Sequence, residues 1–331
     1  MCKSVLVISY PSDVHATHVL KALTEEGAKA RLVNLGEYPN DLQLNLTFDS
    51  SRSTSITFET NEDKFNGDEI KSVWWRRPLG AFREEPDDMA LRYVSSEAES
   101  LTRSLSDLLP GIQWISHPEA TRTAGKKAKQ LSLAARLGFK IPKTVMGNSV
   151  KAVASFLDEM GSKPIIIKAA NSAFIRLNPK SVDPERVNRV IYTKVIDPAF
   201  LQRNLQNVTQ CPFILQEAVQ KDLDIRVTVV GDLVFAMGIR AHMNPGDEHI
   251  VDWRKLDANR DYLKHSLPDE IEQLCRDVTK GLGLAFGCID LAYSERDGYT
   301  FFEINPQGQW LISETVLGYQ ITQALTKLLL S

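Results

Sequence analysis

Asp290, Glu303 and Asn305 bear oxygen atoms of the kind that bind a hard divalent cation. They lie in two apolar runs near the C-terminus, where a carboxylate is costly unless it has a partner. Oxygen ligands of this type favour Mg²⁺ over zinc. The alternative is a solvated polar face, but the neighbouring Ile289 and Ile304 indicate strands that are half buried. We therefore predict a magnesium site.

The two runs have the pattern of a β-hairpin, since the turn dipeptide Asp297-Gly298 lies between them. If Tyr293 faces Thr300, the antiparallel register places Asp290 directly opposite Glu303. Opposed residues share one face of the sheet, where like charges destabilise each other. Asn305 lies two residues beyond Glu303 and points to the same face. The register thus predicts that the three ligands lie together.

Basic residues at strand ends are the second group that could take part in chemistry. Arg76 and Arg77 follow the apolar run 73–75, and Lys168 ends the apolar run 164–167. The arginine pair could be solvated, or could bind a substrate carboxylate or phosphate, and the sequence favours neither. A lone lysine is usually solvated, but the apolar run before Lys168 is expected to bury most of its side chain.

Composition restricts the class of protein. The chain has 331 residues, enough for two or three domains, with 43% hydrophobic residues and a net charge of −3. No basic run predicts a nucleic-acid partner, and no apolar run is long enough to span a membrane. The four cysteines are scattered, which argues against structural zinc and favours a reducing, cytoplasmic location.

Hydrophobic periodicity predicts strands and helices along the chain, and they begin with an α/β order. The N-terminal elements are a strand over 3–9, a helix near 16–26, a hairpin within 42–60, a helix over 84–109 and a strand over 114–116. The order resembles a Rossmann-like domain, but the first turn has no glycine fingerprint for a pyrophosphate.

The remaining elements alternate more irregularly. We predict a basic helix up to Leu137, helices over 150–159, 198–206, 268–282 and 314–329, strands over 189–195 and 212–219, and a hairpin of 225–231 with 233–241. Residues 171–187 are polar and are predicted to be an irregular loop.

Several motifs in this order resemble the ATP-grasp ligases, and more narrowly the ATP-grasp peptide maturases called graspetide synthetases, of the microviridin-maturase type. The motifs are Val73-Trp-Trp-Arg-Arg-Pro78, Gly138-Phe-Lys-Ile-Pro142, Gln216-Glu217, residues 225–231, Asp252-Trp-Arg254 and residues 302–310. The resemblance implies an ATP-grasp fold of class α/β and α+β. A Rossmann-like pre-ATP-grasp domain over 1–117 would be followed by two α+β lobes, a central lobe over 118–207 and a C-terminal lobe with the metal site over 208–331.

The resemblance also implies ATP and Mg²⁺ as cofactors and assigns their residues. The nucleotide-binding residues would be Lys127 (or the neighbouring Lys126), Lys168, Arg254, the adenine-binding hinge Gln216, Glu217, Ala218 and Val219, and the ribose-binding Asp224. The catalytic residues would be Arg226, Arg254 and Lys168, and the metal ligands Asp290, Glu303 and Asn305. Arg76 and Arg77 are substrate candidates.

The activity that the resemblance implies is macrocyclisation of a ribosomal precursor peptide. An Asp or Glu side chain would be phosphorylated by ATP and then joined to a Thr, Ser or Lys side chain, with release of ADP. An intermolecular ligase that adds an amino acid, of the RimK type, would share every nucleotide residue. A nucleotide-binding protein without chemistry is a third alternative. A homodimer is expected.

Overall fold

The computed structural model describes residues 3–50, 54–78, 89–109, 111–170, 174–176, 188–190, 193–242 and 260–331. Among these residues no helix is long and apolar enough to cross a membrane. The predicted motif Asp252-Trp-Arg254 lies outside the described residues, as do residues 171–173 and 177–187 of the predicted irregular loop.

The N-terminal part is an α/β unit, as predicted. Its elements are β1 (Ser4–Ile8), α1 (Val14–Glu25), β2 (Ala30–Val33), β3 (Leu42–Phe48), β4 (Thr54–Thr60), β5 (Lys64–Asn66), β6 (Ile70–Trp75), α2 (Met89–Arg103), α3 (Leu105–Leu108) and β7 (Gln113–Ile115). β1, β2, β6 and β7 form a parallel sheet in the order β2-β1-β6-β7. β3, β4 and β5 form an antiparallel sheet that contains the predicted hairpin. The predicted single helix over 84–109 is instead divided at Ser104, whose N–H bonds to Leu101 O in a tighter turn.

The central elements are α4 (Pro118–Ala124), α5 (Lys127–Leu137), β8 (Thr144–Gly147), α6 (Val150–Met160), β9 (Ile165–Lys168), β10 (Phe174–Arg176), β11 (Asn188–Val190), β12 (Lys194–Ile196), α7 (Pro198–Arg203) and β13 (Phe213–Glu217). The predicted strand over 189–195 is two strands that belong to different sheets, since β11 pairs with β10 and β12 pairs with β9. β10 also introduces a strand into the segment that was predicted to be irregular.

The chain crosses between the two lobes more than once. The central sheet has the order β12-β9-β13-β8, so β13 completes it although it lies beyond residue 207. α5 belongs to the predicted central lobe, yet its Leu131 and Ala134 pack in the core of the C-terminal sheet. The boundaries at 117/118 and 207/208 stay predictions, and the second separates elements that pack together.

The C-terminal elements are β14 (Leu223–Val230), β15 (Leu233–Ala241), β16 (Arg260–Lys264), α8 (Asp269–Gly281), β17 (Phe286–Ser294), β18 (Gly298–Asn305), α9 (Leu311–Leu317) and α10 (Ile321–Leu330). The strands form an antiparallel sheet in the order β16-β15-β14-β17-β18. The predicted helix over 314–329 is two helices, because Gly318 ends α9 at a φ of +68°. Glu314 then accepts hydrogen bonds from the N–H and hydroxyl of Thr322 in the first turn of α10.

The two faces of the C-terminal sheet have different partners. One face packs on α5 and α8 through an apolar core that includes Val227, Ile289 and Phe301. The other face shares a core with the N-terminal sheet, in which Trp74 and the completely buried Trp310 meet. This second face carries the buried polar residues Asp224, Arg226 and Asp290.

Candidate active site

The hairpin of β17 and β18 brings Asp290 opposite Glu303, and this predicted pairing is confirmed. The register that led to the prediction is nevertheless wrong at the turn. Tyr293 pairs with Tyr299 and not with Thr300. The strands are therefore shifted by one residue near the turn and return to the predicted register at the acidic pair.

A β-bulge at Phe302 accounts for this shift. Leu291 pairs with Phe301, but the next pair along the ladder is the acidic pair, so Phe302 is the extra residue. The bulge lets Phe301 and Ile304, which are three residues apart, both enter the same apolar core. It leaves the two carboxylates on the opposite, polar face.

Arg226 on β14 lies directly opposite Asp290 on β17. Its Nη1 donates to Asp290 Oδ1 at 2.7 Å, and each residue is 8% exposed. Burial alone would lower the pKa of Arg226, but the adjacent charge of Asp290 raises that pKa above its usual range. Asn305 Nδ2 also donates to Asp290, at 3.3 Å to Oδ2. Asp290 is thus held from two sides.

Glu303 faces a second cation. Lys127 Nζ lies 3.1 Å from Glu303 Oε2, and both side chains are largely buried. Lys127 is the first residue of α5, so the helix start carries the charge directly to β18. The neighbouring Lys126, the alternative from the sequence, is exposed. This geometry favours Lys127 of the two.

The edge of β18 is fixed by Gln130, a residue that sequence reasoning missed. Gln130 Oε1 accepts from Ile304 N at 3.0 Å, and its Nε2 donates to Ile304 O at 2.8 Å and to Ala124 O at 2.7 Å. The amide thus pairs with the backbone between Glu303 and Asn305 as a neighbouring strand would. A polar residue on the apolar face of α5 was the available signal.

The hinge residues Gln216 to Val219 lie at the end of β13, in the central sheet. Glu217 N donates to Lys143 O and Ala218 N to Pro164 O, so these two amides are engaged within the protein. Gln216 Nε2 donates to Thr144 Oγ1 at 2.8 Å, while its Oε1 is buried with no hydrogen-bond partner among the described residues. A buried acceptor of this kind suits a ligand donor.

Asp224 and Lys168 lie on two different strands, β14 and β9. Asp224 lies on the same face of β14 as Arg226, and its Oδ1 accepts from Lys221 Nζ at 2.6 Å. Lys221 was not predicted, and its pairing means that the carboxylate of Asp224 is partly neutralised. Lys168 ends β9 and is half buried, as expected from its apolar run.

Arg76 and Arg77 have different environments. Arg76 is 1% exposed, and its Nε donates to Asp13 Oδ2 at 3.2 Å. Burial lowers the pKa of Arg76 to about 10, which still leaves it cationic at neutral pH. Its charge is therefore directed at the protein itself, whereas Arg77 is half buried at the end of the run.

The residues present fit the cofactors that the sequence implied. The described residues contain no group of three or more His, Cys, Asp or Glu side chains able to hold a metal alone. Two carboxylates with one amide oxygen suit Mg²⁺, which takes further oxygen ligands from phosphates and water. The buried acceptor of Gln216 and the cation Lys127 suit the base and the phosphates of ATP.

Comparison with known proteins identifies the class. Residues 4–122 match the MvdD pre-ATP grasp domain, and residues 124–329 match the RimK-like ATP-grasp domain. The second match covers more than half of the chain, so the protein belongs to the RimK-like ATP-grasp family. Members of this family are ADP-forming carboxylate ligases that use ATP with Mg²⁺, and the predicted fold, enzyme class and cofactors are confirmed.

Solved structures place the chain more narrowly within that class. It is similar to the macrocyclase MdnC from Microcystis aeruginosa MRC bound with precursor peptide MdnA: 25% identity, TM-score 0.82, and 99% of both chains covered. It is also similar to a RiPP-associated ATP-grasp ligase from Chryseobacterium gregarium in complex with ADP, a leader and a core peptide: 25% identity, TM-score 0.85, and coverage of 99% and 96%.

A sequence relative has a different kind of activity. The α-aminoadipate–LysW ligase LysX of Sulfolobus acidocaldarius is 24% identical over 251 residues, which are 74% of this chain and 83% of LysX.

The predicted resemblance to ATP-grasp peptide maturases is confirmed by the structural matches.

Proposed function

We propose that this protein is an ATP-dependent macrocyclase that joins Asp or Glu side chains of a ribosomal precursor peptide to Thr, Ser or Lys side chains of the same peptide. ATP with Mg²⁺ supplies the activating phosphoryl group: a peptide carboxylate oxygen bonds to the γ-phosphorus and ADP leaves. The hydroxyl or amine then bonds to the acyl carbon, gives up its proton, and phosphate leaves. Each ring removes one water from the peptide.

The observation that carries the proposal is similarity over nearly the whole chain to two enzymes solved with bound peptides. The similarity includes the N-terminal domain as well as the ATP-grasp part. The site adds a physical argument, because it gathers cations and carboxylates on one face of the C-terminal sheet, as stabilisation of a transferring phosphoryl group requires.

The residues of the C-terminal sheet act by charge and position. Arg226 neutralises charge on the transferring phosphoryl group, together with Lys168 and Arg254. Lys127 binds phosphate oxygens, and Asp290, Glu303 and Asn305 bind Mg²⁺. In the protein alone, Arg226 pairs with Asp290 and Lys127 pairs with Glu303. When ATP binds, its phosphates can replace the carboxylates as partners of the cations, and Mg²⁺ can replace the cations as the partner of the carboxylates.

The hinge and its neighbours bind the nucleoside. Gln216, Glu217, Ala218 and Val219 contact adenine through backbone groups other than the N–H groups of Glu217 and Ala218, which are engaged within the protein. The buried Oε1 of Gln216 supplies one further acceptor. Asp224 binds the ribose hydroxyls. Arg77 remains the candidate for a carboxylate of the peptide substrate, while Arg76 has the internal role argued below.

A leader segment of the peptide binds away from the metal site, at β12 and α7. β12 is the outer strand of the central sheet, and an outer strand can pair with an extended peptide. Val195 on β12 is 40% exposed and Phe200 on α7 is 52% exposed, so both can contact apolar leader residues. The alternative is that β12 and α7 only complete the fold of the lobe. A Phe200→Ser variant should bind the leader more weakly if these elements contact it, and as well as the wild type if they do not.

An intermolecular ligase is the second candidate, favoured by the similarity to LysX. It would use the same nucleotide residues and differ in the acceptor alone. A homodimer, a cytoplasmic location, the absence of nucleic-acid and membrane partners, and the three domain ranges stay predictions.

The test uses the full-length protein with ATP, Mg²⁺ and the peptide encoded beside its gene. We expect ADP and phosphate to appear only when the peptide is present. Lys168→Met should raise the ATP requirement and lower the rate together, whereas the exposed Lys151→Met should change neither. Formation of AMP and pyrophosphate would rule out the proposed route, and release of ADP that depends on a free amino acid would select the intermolecular ligase.

A further inference from the structure

A loop of residues 306–310 connects β18 to α9 and lies between the N-terminal and the C-terminal sheets. It begins with a tight turn in which Gly308 N donates to Asn305 O at 3.1 Å. It ends at Trp310, which is completely buried in the core that the two sheets share. The loop thus starts directly at a predicted metal ligand and is fixed at its far end.

On one side the loop contacts the catalytic face. Gln309 O accepts from Arg226 Nη2 at 3.4 Å. Gly308 lies so close to β14 and β17 that a Cβ there would be 2.9 Å from Arg226 Nη2 and would overlap Cys288. Since the guanidinium rests against the loop backbone, any displacement of the loop changes the space in which Arg226 is held.

On the other side the N-terminal sheet holds the loop. Arg76 Nη1 donates to Gln307 O at 2.5 Å and to Gly308 O at 2.8 Å. His15 Nε2 accepts from Trp310 N at 3.2 Å. Arg76, which follows β6, therefore fixes two consecutive loop carbonyls. His15, in the first turn of α1, fixes the N–H of Trp310, two residues after Gly308.

Arg76 is itself held rigidly. Its Nε donates to Asp13 Oδ2 at 3.2 Å, and Asp13 also accepts from Ser9 Oγ at 2.9 Å and from His15 N at 3.1 Å. The Arg76 side chain is 0% exposed. A planar guanidinium with fixed donor directions sets the relative positions of the groups it binds. Asp13 orients the guanidinium of Arg76, and the guanidinium positions the loop.

We infer that Arg76 is a positioning residue: it holds the loop 306–310 in place from the N-terminal domain and thereby positions Arg226 for phosphoryl transfer, without touching the substrate. The inference rests on the proposed ATP-dependent ligase activity. It assigns Arg76 a role different from the substrate contact that the sequence left open. It also gives the N-terminal domain a part in catalysis that is independent of peptide binding.

The test compares wild type and Arg76→Met in the full-length protein. We expect kcat for ring formation to fall by roughly 10- to 100-fold, the effect of a small misplacement of a catalytic group. KM for ATP should change much less than kcat, because the hinge Gln216–Val219, which we assign to adenine, belongs to the central sheet and not to this loop. Hydrogen exchange at the amides of Gly308 and Trp310 should become faster, and Arg76→Lys should restore part of both losses.

Arg31 provides the matched control. It is also a buried arginine of the N-terminal domain, 7% exposed, but its hydrogen bonds go to Asp63, Glu69 and Ser4. Arg31→Met should lower the melting temperature while kcat and exchange at Gly308 and Trp310 stay at wild-type values.

Two results would overturn the inference. One is a loss of kcat in Arg31→Met as large as that in Arg76→Met, and the other is wild-type exchange in the loop of Arg76→Met. If Arg76→Met does not fold, Asp13→Asn, which removes the charge that orients Arg76, must give the same lowered kcat and faster exchange, and wild-type values would contradict us. If the wild type makes no rings, the proposed function fails, while the exchange comparison still decides whether Arg76 holds the loop.

Discussion

Arg226 and Asp290 form a buried ion pair across adjacent strands, with 2.7 Å between Arg226 Nη1 and Asp290 Oδ1. A buried pair stabilises little by itself, because desolvation of both charges offsets their attraction. Removal of one partner of the pair is strongly destabilising, because the remaining charge stays buried without a compensating charge. The pair therefore couples the stability of the C-terminal sheet to the residues that we assign to catalysis.

Removal of one partner should be costly. Asp290→Asn leaves the guanidinium of Arg226 buried beside a neutral amide, so the free energy of unfolding should fall by about 3–5 kcal/mol. Urea denaturation measures this. The control is Asp232→Asn in the exposed pair with Lys280, which should leave the midpoint almost unchanged. Equal, small effects of both substitutions would contradict the burial argument.

Glu303→Gln should separate function from folding. The substitution keeps the size of the side chain and relieves the like-charge contact with Asp290, but it also removes the charge that pairs with Lys127. The two effects oppose each other, so the urea midpoint should change less than it does in Asp290→Asn. Turnover should fall by ~10²–10³, the usual effect of removing one electrostatic group from an active site. Glu295→Gln, at the exposed end of the same hairpin, is the control. Near-normal turnover of Glu303→Gln at saturating magnesium would show that Glu303 is not a metal ligand.

Gln130→Leu tests how the edge of β18 is held. The change removes three hydrogen bonds and leaves the N–H and C=O of Ile304 buried without them, which should cost ~1–3 kcal/mol of stability per unsatisfied group. Half-saturation by Mg²⁺ should also move to higher concentration, because Glu303 and Asn305 flank Ile304. Gln273→Leu on the exposed face of α8 should change neither quantity. Unchanged magnesium dependence in Gln130→Leu would limit its role to folding.

Gly308→Ala should disturb the site by sterics alone. A methyl group there would overlap Cys288 and lie 2.9 Å from Arg226 Nη2, so the loop backbone must move. Overpacking of this kind costs typically 1–3 kcal/mol, about the shift that urea denaturation should find. Ring formation should slow as Arg226 is displaced. Gly125→Ala is the control, since a methyl group there meets only ordinary contacts. Wild-type activity of Gly308→Ala would mean that the loop is free to adjust.

Sequence reasoning found the acidic pair by a register that was only partly right. Alternation in period two cannot reveal a bulge, because the extra residue Phe302 is recognised only when Phe301 and Ile304 enter one core. The strand over 189–195 was divided for a related reason, since local pattern does not say which sheet a residue joins. Local signals did suffice for β1, for α6 and for the end of α5 at Gly138.

Contacts between distant segments were beyond the sequence. Gln130 pairs with Ile304, 174 residues away, and Arg76 with Gln307, 231 residues away. Gln130 belongs to α5 and Arg76 follows β6. The hydrophobic pattern that predicts each of these elements does not depend on the polar residue, so it gives no information about the partner of that residue. The arginine after β6 looked equally suited to solvent or to a ligand, and only the fold shows that it faces backbone carbonyls.

The mass of the precursor peptide shows whether this protein closes rings in it. The full-length protein is incubated with the peptide, ATP and Mg²⁺, and the intact peptide is analysed by mass spectrometry. We expect successive losses of one water, one for each ring formed, and formation of these products about 10²–10³ times more slowly when Glu303→Gln replaces the wild type. A peptide that gains the mass of an added amino acid, or that stays unchanged while ATP is bound, would contradict this expectation.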